Sequence, residues 1–278
     1  MEGGDDNAIN RFFVAVVAAW ATAMGGTCTR HFGDWILELT IEGVTKHVVW
    51  YDLGLNSATH YQTMKDKAAT SWILERRGIA CVEHFLLLRP DSQGWQSDQD
   101  AQLDAFVARV GFPLVVKPNG GSNGTGVIKV TSPEELTAAL AEQFLAHRAI
   151  SLSPFVMIKK EYRATVLDGQ VELIYAKVQD TTKDFRFNLS HGAEVHEVSD
   201  EEKAQVSPLA VRALEAIGAR FANIDIILDA AGTLRVLEVN GGVAFEKYSQ
   251  LSADHARRAH AVYTRALHTL FGIPETNS

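Results

Sequence analysis

The segment Phe221–Gly242, FANIDIILDAAGTLRVLEVNGG, sets the tightest limits on what this chain can fold into. Two β-branched apolar runs, Ile224–Leu228 and Leu234–Val239, flank Asp229-Ala-Ala-Gly232. Apolar runs on either side of an Asp…Gly turn predict a β-hairpin. Asp225, Glu238 and Asn240 interrupt those runs, and a carboxylate is costly to bury without a partner. With Leu228 opposite Thr233, Asp225 falls opposite Val236, and Glu238 becomes its diagonal neighbour on the same face, about 7–8 Å away. Asn240 shares that face while the chain stays extended. Three oxygen-bearing side chains on one patch suit a hard cation such as Mg²⁺. On the hairpin alone, a solvent-facing acidic strand is an equal alternative.

The chain has 278 residues, 46% hydrophobic and 22% charged, enough for a sizeable core in one unit or two closely joined lobes. Its net charge of −8 argues against a general nucleic-acid binder. Cys28 and Cys81 form no CxxC pair, so free thiols in a reducing, cytoplasmic compartment are expected. The apolar run Phe12–Met24 follows Asp5 and Asp6, with Arg11 as its basic neighbour. It is too short to span a bilayer, so no membrane partner is expected, and Ile9–Met24 reads as an Ala-rich helix ending at Gly25-Gly26. Residues 1–7 are expected to be disordered. Asn123-Gly-Thr125 and Asn188-Leu-Ser190 match the glycosylation pattern, which carries no weight without secretion.

Further along, Trp35–Ile41 and His47–Tyr51 read as strands, and Lys65–Arg77 as a helix closed by Gly78. Ile79–Val82 and Phe85–Leu88 are short apolar runs, read as strands. A helix over Ala101–Val110 is followed by strands Leu114–Lys117 and Val127–Val130. Ser132-Pro133-Glu134-Glu135 starts another helix, with Ser as N-cap and Pro at the first helical position. Phe155–Ile158, Tyr162–Leu167 and Val171–Ala176 read as strands, Ser207-Pro208 as a helix start, and Ala253–Phe271 as the last helix. Hairpins and helices mix without a βαβα rhythm, which predicts α+β layers.

Between two of these strands, Asn119–Gly126 holds four glycines in eight residues. Such a loop exposes backbone N–H groups to a phosphate; a flexible turn is the competing reading. It is not a Walker A loop, because Val127-Ile128 stand where Lys-Ser/Thr would be. Lys117 precedes it on a strand, Lys67 opens a helix after Asp66, and Lys177 ends an apolar strand. Taken singly, each reads as a solvated or snorkelling lysine. Lys183, Arg186, Asn188 and His191 lie in a polar segment, either a surface loop or a set of anion contacts. His191 and His196 lack an HExxH pattern and predict no zinc site.

The order of these features resembles the ATP-grasp superfamily. Asp66-Lys67, Lys117-Pro118, the glycine loop, Glu161-Tyr-Arg163, Arg186-Phe-Asn188, Asp225 and Glu238-Val-Asn240 follow one another as they do in its carboxylate–amine ligases. That branch contains RimK-type, cyanophycin synthetase and D-alanine–D-alanine ligase enzymes. The resemblance covers roughly Lys65 to Ser249, and Glu238-x-Asn240 with an Asp thirteen residues earlier is its specific part. It implies an α+β ATP-grasp fold: a reduced N-terminal segment over 1–64, a first lobe over 65–158 and a second over 159–278. It implies ATP and Mg²⁺ as cofactors, with two ions expected and Mn²⁺ able to substitute.

By that resemblance Lys67 and Lys117 contact phosphates, and Gly120, Gly121, Ser122, Gly124 and Gly126 fold over them. Phe155 and Met157 offer backbone groups to adenine, Glu161 holds the ribose, and Lys177 is a further nucleotide contact. Asp225, Glu238 and Asn240 hold the metal. Arg186 and Asn188 lie near the transferred phosphoryl group, and Arg163 meets a substrate carboxylate. The implied reaction joins a small-molecule carboxylate to an amine, such as an amino acid or peptide, through an acyl phosphate. Phosphorylation without ligation, or a non-catalytic nucleotide-binding module, are the alternatives. Either monomer or homo-oligomer is compatible.

The chain departs from the family pattern in its short N-terminal segment, so the carboxylate pocket is expected to be formed differently or by a partner subunit. After Glu-x-Asn it runs Gly241-Gly-Val-Ala-Phe-Glu-Lys247, where Glu246 and Lys247 are candidate substrate contacts or a plain helix cap.

Overall fold

The computed structural model describes residues 11–121, 124–180, 185–187, 189 and 192–274. The chain opens with α1 (Phe12–Ala23), then a meander of β1 (Thr27–His31), β2 (Ile36–Ile41) and β3 (Val44–Val49). β1 went unread in the sequence because its TCTRH carries no apolar alternation. The helix read over Lys65–Arg77 is α3 (Lys67–Arg76), and a separate α2 (Ala58–Lys65) precedes it. They break at Asp66, which sits in an extended conformation and accepts from Ala69 N–H at 2.8 Å. Asp66 thereby caps α3 and places Lys67 at its first position.

A four-stranded antiparallel sheet follows, ordered β4 (Phe85–Leu88), β7 (Ala149–Pro154), β5 (Leu114–Pro118), β6 (Ile128–Val130). Its helices are α4 (Gln99–Val110) and α5 (Pro133–Ala146), the latter capped by Ser132 as its sequence predicts. Phe155–Met157 is not a strand; it is the link from β7 to β8 (Ile158–Leu167). The strand next to Lys117 is β7, whose central Ser151 and Ser153 hid it from an apolar count.

The second large sheet is ordered β10 (Glu194–His196), β9 (Gln170–Val178), β8, β11 (Phe221–Asp229), β12 (Leu234–Asn240). Against it lies α6 (Asp200–Ile217), which begins eight residues before Pro208. Ser199 and Glu202 form a reciprocal capping box there, and that pair sets the start rather than the proline. After α7 (Glu246–Ser249) the chain ends in α8 (Ala253–Phe271), with the bounds its pattern predicts.

Among the described residues, three cores hold this together. One lies between the four-stranded sheet and α4–α5, with Phe106, Leu114, Val116 and Ile150. A second joins α3 and α6 to the five-stranded sheet through Leu74, Tyr162, Ala213 and Ile226. The third binds α1 and the meander to α8, with Phe13, Trp20, Leu39, Phe245 and Tyr263 sunk in it. The Phe13 and Tyr263 rings meet edge-on at 4.9 Å. The N-terminal segment is therefore fastened onto the C-terminal helix and onto the loop that follows β12.

Candidate functional site

A cleft of about 580 Å³ lies between the four- and five-stranded sheets. It gathers Lys67, Lys117, Gly121, Gly124, Phe155, Glu161, Arg163, Lys177, Arg186, Asp225, Glu238 and Asn240 in its lining. Gly120 lines an adjoining cavity, while Gly126 and the exposed Met157 side chain stand outside the cleft wall. Ser122 and Asn188, together with Lys183, His191 and residues 1–7, lie outside the described residues.

The hairpin register differs from the sequence expectation. Leu228 pairs with Leu234, and a bulge between Asp225 and Ile226 shifts the ladder again. Asp225 consequently faces Glu238 directly instead of Val236, and Asn240 faces Asn223. The turn explains the first shift, because Asp229 accepts from Thr233 N–H through Oδ1 and draws Thr233 into the loop. The bulge re-aims the side chains beside the cleft.

Asp225 is buried within its own sheet. Arg163 Nε and Nη2, from β8, donate to its two oxygens at 2.8 and 2.7 Å. Lys177 Nζ, from β9, lies 3.3 Å from Oδ1, and Asn240 Nδ2 donates to Oδ2 at 3.1 Å. Arg163 and Lys177 hold the Asp225 carboxyl well below the usual carboxylate range, overcoming burial. Glu161, also buried, bonds Lys177. Burial, with the charge of Asp225, pushes Glu161 up to about 7 despite Lys177. Arg163 was expected to meet a substrate carboxylate; two of its nitrogens are committed to Asp225 instead.

Glu238 is held from outside its sheet. Lys117 Nζ, on β5 across the cleft, donates to Oε1 at 2.9 Å, and Lys67 Nζ stands 4.0 Å from the same atom. These lysines lower the Glu238 carboxyl against burial, whereas burial lowers Lys67 itself. Lys67 also donates to the carbonyls of Asn119 and Gly121, and Asn119 Oδ1 accepts from Ala68 N–H at 3.1 Å. The start of α3 is thereby docked onto the entry of the glycine loop. Two glycines there have a steric reason. A Cβ at Gly121 or Gly126 would stand 3.1 Å from the Pro118 ring, and Gly126 has φ +69°. Arg186 Nη1 reaches the Gly124 carbonyl at 3.4 Å.

At the other end, Phe155 N–H donates to the Pro113 carbonyl and the Met157 carbonyl accepts from Ala230 N–H. The complementary pair, the Phe155 carbonyl and Met157 N–H, makes no backbone hydrogen bond among the described residues. Trp50 and Tyr51 from the end of the meander, and Glu246, also line the cleft. The two aromatics carried no sequence signal, because their position depends on how α1 packs.

The cleft's charged side chains fit a triphosphate with divalent cations. Lys67, Lys117, Arg163, Lys177, Arg186 and Lys247 outnumber Glu161, Asp225, Glu238 and Glu246 in its lining, which leaves the cleft electropositive toward an anion. Asp225, Glu238 and Asn240 supply the hard oxygen donors that Mg²⁺ takes, provided the Asn240 amide presents its oxygen. Among the described residues no three His, Cys, Asp or Glu side chains converge as a metal cage. A cation here would draw its remaining ligands from phosphates and water.

The fold and this arrangement define an ATP-grasp protein. The chain belongs to the RimK-like ATP-grasp family, whose domain matches residues 65–259; enzymes of this kind use ATP and Mg²⁺ in general. A D-alanine–D-alanine ligase of Actinobacillus pleuropneumoniae is 32% identical over 181 residues, 63% of this chain and 56% of that enzyme. One from Burkholderia multivorans is 27% identical over 182 residues, with the same two coverages. The chain thus spans little more than half the length of the curated relatives it matches. Among solved structures, the Bacillus anthracis D-alanine–D-alanine ligase complexed with ATP aligns with TM-score 0.58 at 22% identity. That alignment covers 78% of this chain and 68% of that one. The VanG D-Ala:D-Ser ligase of Enterococcus faecalis aligns with TM-score 0.60 at 17% identity, over 79% and 64%. These likenesses place the chain in the ATP-grasp fold.

Proposed function

We propose that this protein is an ATP-dependent ligase that joins a carboxylate to an amine through an acyl phosphate, releasing ADP and phosphate. The observation that carries the reading is the meeting of Lys67, Lys117, Glu238, Asn240 and Asp225 at one point of the cleft, from α3 and two facing sheets. The ligases among its relatives and structural neighbours support it.

In this reading Lys67 and Lys117 leave Glu238 to hold the β- and γ-phosphates, and Gly120–Gly126 closes over them. The Phe155 carbonyl and Met157 N–H read the adenine edge, Glu161 accepts from the ribose hydroxyls, and Lys177 neutralises the phosphates further. Glu238, Asn240 and Asp225 would hold two Mg²⁺ ions, replaceable by Mn²⁺, which would neutralise charge on the terminal phosphates. Arg186 and Asn188 stand by the transferred group. Arg163 fixes Asp225, with Nη1 left for substrate. A substrate carboxylate attacks the γ-phosphorus, ADP departs, and the amine then displaces phosphate from the acyl carbon. Excluding water protects the acyl phosphate from hydrolysis. The lobes divide near residues 64 and 158, with α3 packing across to the second core.

The test is phosphate release from purified protein, MgATP and a matrix of amino acids and dipeptides, with mass detection of products. The reading expects ADP, phosphate and a product equal to the two substrates minus one water. ADP with a phosphorylated acceptor and no condensation product would overturn it in favour of a kinase.

A further inference from the structure

The main cleft has a side chamber. A cavity of about 360 Å³ starts at Lys67, Gly121, Glu238 and Asn240 and runs beneath α3, while Phe155 lines the main cleft alone. Edge pairing creates it. Val236 N–H donates to the Ala80 carbonyl at 2.9 Å, and its carbonyl accepts from Val82 N–H at 2.8 Å. The chain then leaves β12 for β4, and a gap opens beside Glu238. Tyr61, Met64, Leu74, Cys81 and Val236 give this chamber an apolar wall. Lys65 and Lys67 add two cations to its lining, Lys65 with Nζ 4.7 Å from the centre of the Tyr61 ring. His84 also lines it; its Nδ1 lies 2.7 Å from Ser151 Oγ, and burial, with Lys117 and Lys67 nearby, lowers its pKa well below the ordinary value against a hydrogen bond to the Leu237 backbone.

Away from the nucleotide end, the main cleft has a different character. There it is lined by Arg163, Glu246, Lys247 and Tyr248. Glu246 Oε1 is 3.3 Å from Phe13 N–H, and its carboxylate also faces the Tyr51 hydroxyl, whose pKa burial raises first and this carboxylate raises further. A two-substrate ligase needs two such wings meeting at the γ-phosphate. The charged wing, with the Glu246 carboxylate in its lining, suits an ammonium. The other wing offers cations near the phosphate site and apolar walls beyond.

We propose that the chamber beneath α3 receives the side chain of the carboxylate substrate, and that this substrate carries an apolar or aromatic chain of about amino-acid size. The inference rests on the ligase reading above. A carboxylate beside Lys67 is placed to attack the γ-phosphorus, and a chain filling the chamber holds it there. Each methylene buried in such a pocket is worth about tenfold or more in discrimination.

The test is isothermal titration of the protein with MgADP, then with acetate, 4-methylpentanoate or 3-phenylpropionate. These probes carry the carboxylate and the chain without an amine. The expected result is tighter binding of both longer acids than of acetate, by about tenfold or more. Cys81→Phe, which fills the chamber, is expected to weaken 3-phenylpropionate by about tenfold while leaving MgADP affinity unchanged. Circular dichroism reports whether that variant folds. Should it not, Tyr61→Ala decides, since widening the wall must weaken the same acid. Equal binding of acetate and 3-phenylpropionate, no binding of any probe, or indifference to these substitutions overturns the inference. Failure of MgADP itself to bind would instead bring down the ligase reading.

Discussion

Asp225 and Glu238 face each other across one step of the β11–β12 ladder, yet they are held in opposite ways. Asp225 takes Arg163, Lys177 and Asn240 from its own sheet and is 4% exposed. Its partners all come from the sheet that carries it. Glu238 takes lysines from the facing sheet and from α3, and its side chain is 24% exposed. Those lysines can trade one anion for another. One carboxylate is thus a structural keystone, and the other, in the proposed function, is a docking point whose partners would be released to the phosphates.

The comparison breaks most sharply under Glu238→Gln and Asp225→Asn. Glu238→Gln is expected to lower turnover about 10²–10³-fold, as losing a group that stabilises transferred charge does, with only about 1 kcal/mol lost in stability because its pair is partly exposed. Asp225→Asn is expected to abolish turnover and also cost about 3–5 kcal/mol in urea unfolding, because Arg163 and Lys177 lose their buried partner. Equal stability losses in the two variants would erase the distinction.

A second prediction sharpens it through linkage. MgADP at about 100 times its dissociation constant should stabilise the wild type by about 2.7 kcal/mol. Lys117→Ala should remove most of that gain at the same ligand concentration, since Lys117 is a partner for Glu238 or for phosphate. An undiminished shift in the thermal midpoint of Lys117→Ala would contradict the exchange.

The smallest effect is a pH dependence confined to the Asp225 side. The Glu161 carboxyl is raised to about 7 by burial and by Asp225. The folded state then keeps a proton that the unfolded chain has released. The stability this confers is full below about pH 4.5 and is lost as pH rises through about 7. Glu161→Gln should therefore gain on the wild type by a few degrees in thermal midpoint between about pH 5 and pH 8. A constant difference between the two proteins across that range would contradict it.

Much of this was legible where a local rule governs. The Asp229–Gly232 turn, the Ser132 cap, the last helix and the order of lysines, glycines and acids could all be read directly. The fold class followed from them. The register could not, because a bulge leaves no mark in composition. β7 was missed since Ser151 and Ser153 break its apolar run, although burial beside Lys117 accommodates them. Ser199 was passed over for Pro208, because a proline reads as a helix start until a capping box upstream is weighed. The site's electrostatics were the least legible. Arg163 and Asp225 lie 62 residues apart, and Lys117 and Glu238 lie 121 apart, so only the folded sheets could pair them.

The measurement that bears most directly on the exchange at Glu238 is the anomalous scattering of Mn²⁺ in crystals grown with ADP. The account predicts manganese within about 2.1–2.4 Å of Glu238 and Asn240 oxygens, with Lys117 moved from Glu238 onto a phosphate. Manganese bound elsewhere, or a nucleotide seated with the Lys117–Glu238 pair intact, would contradict it.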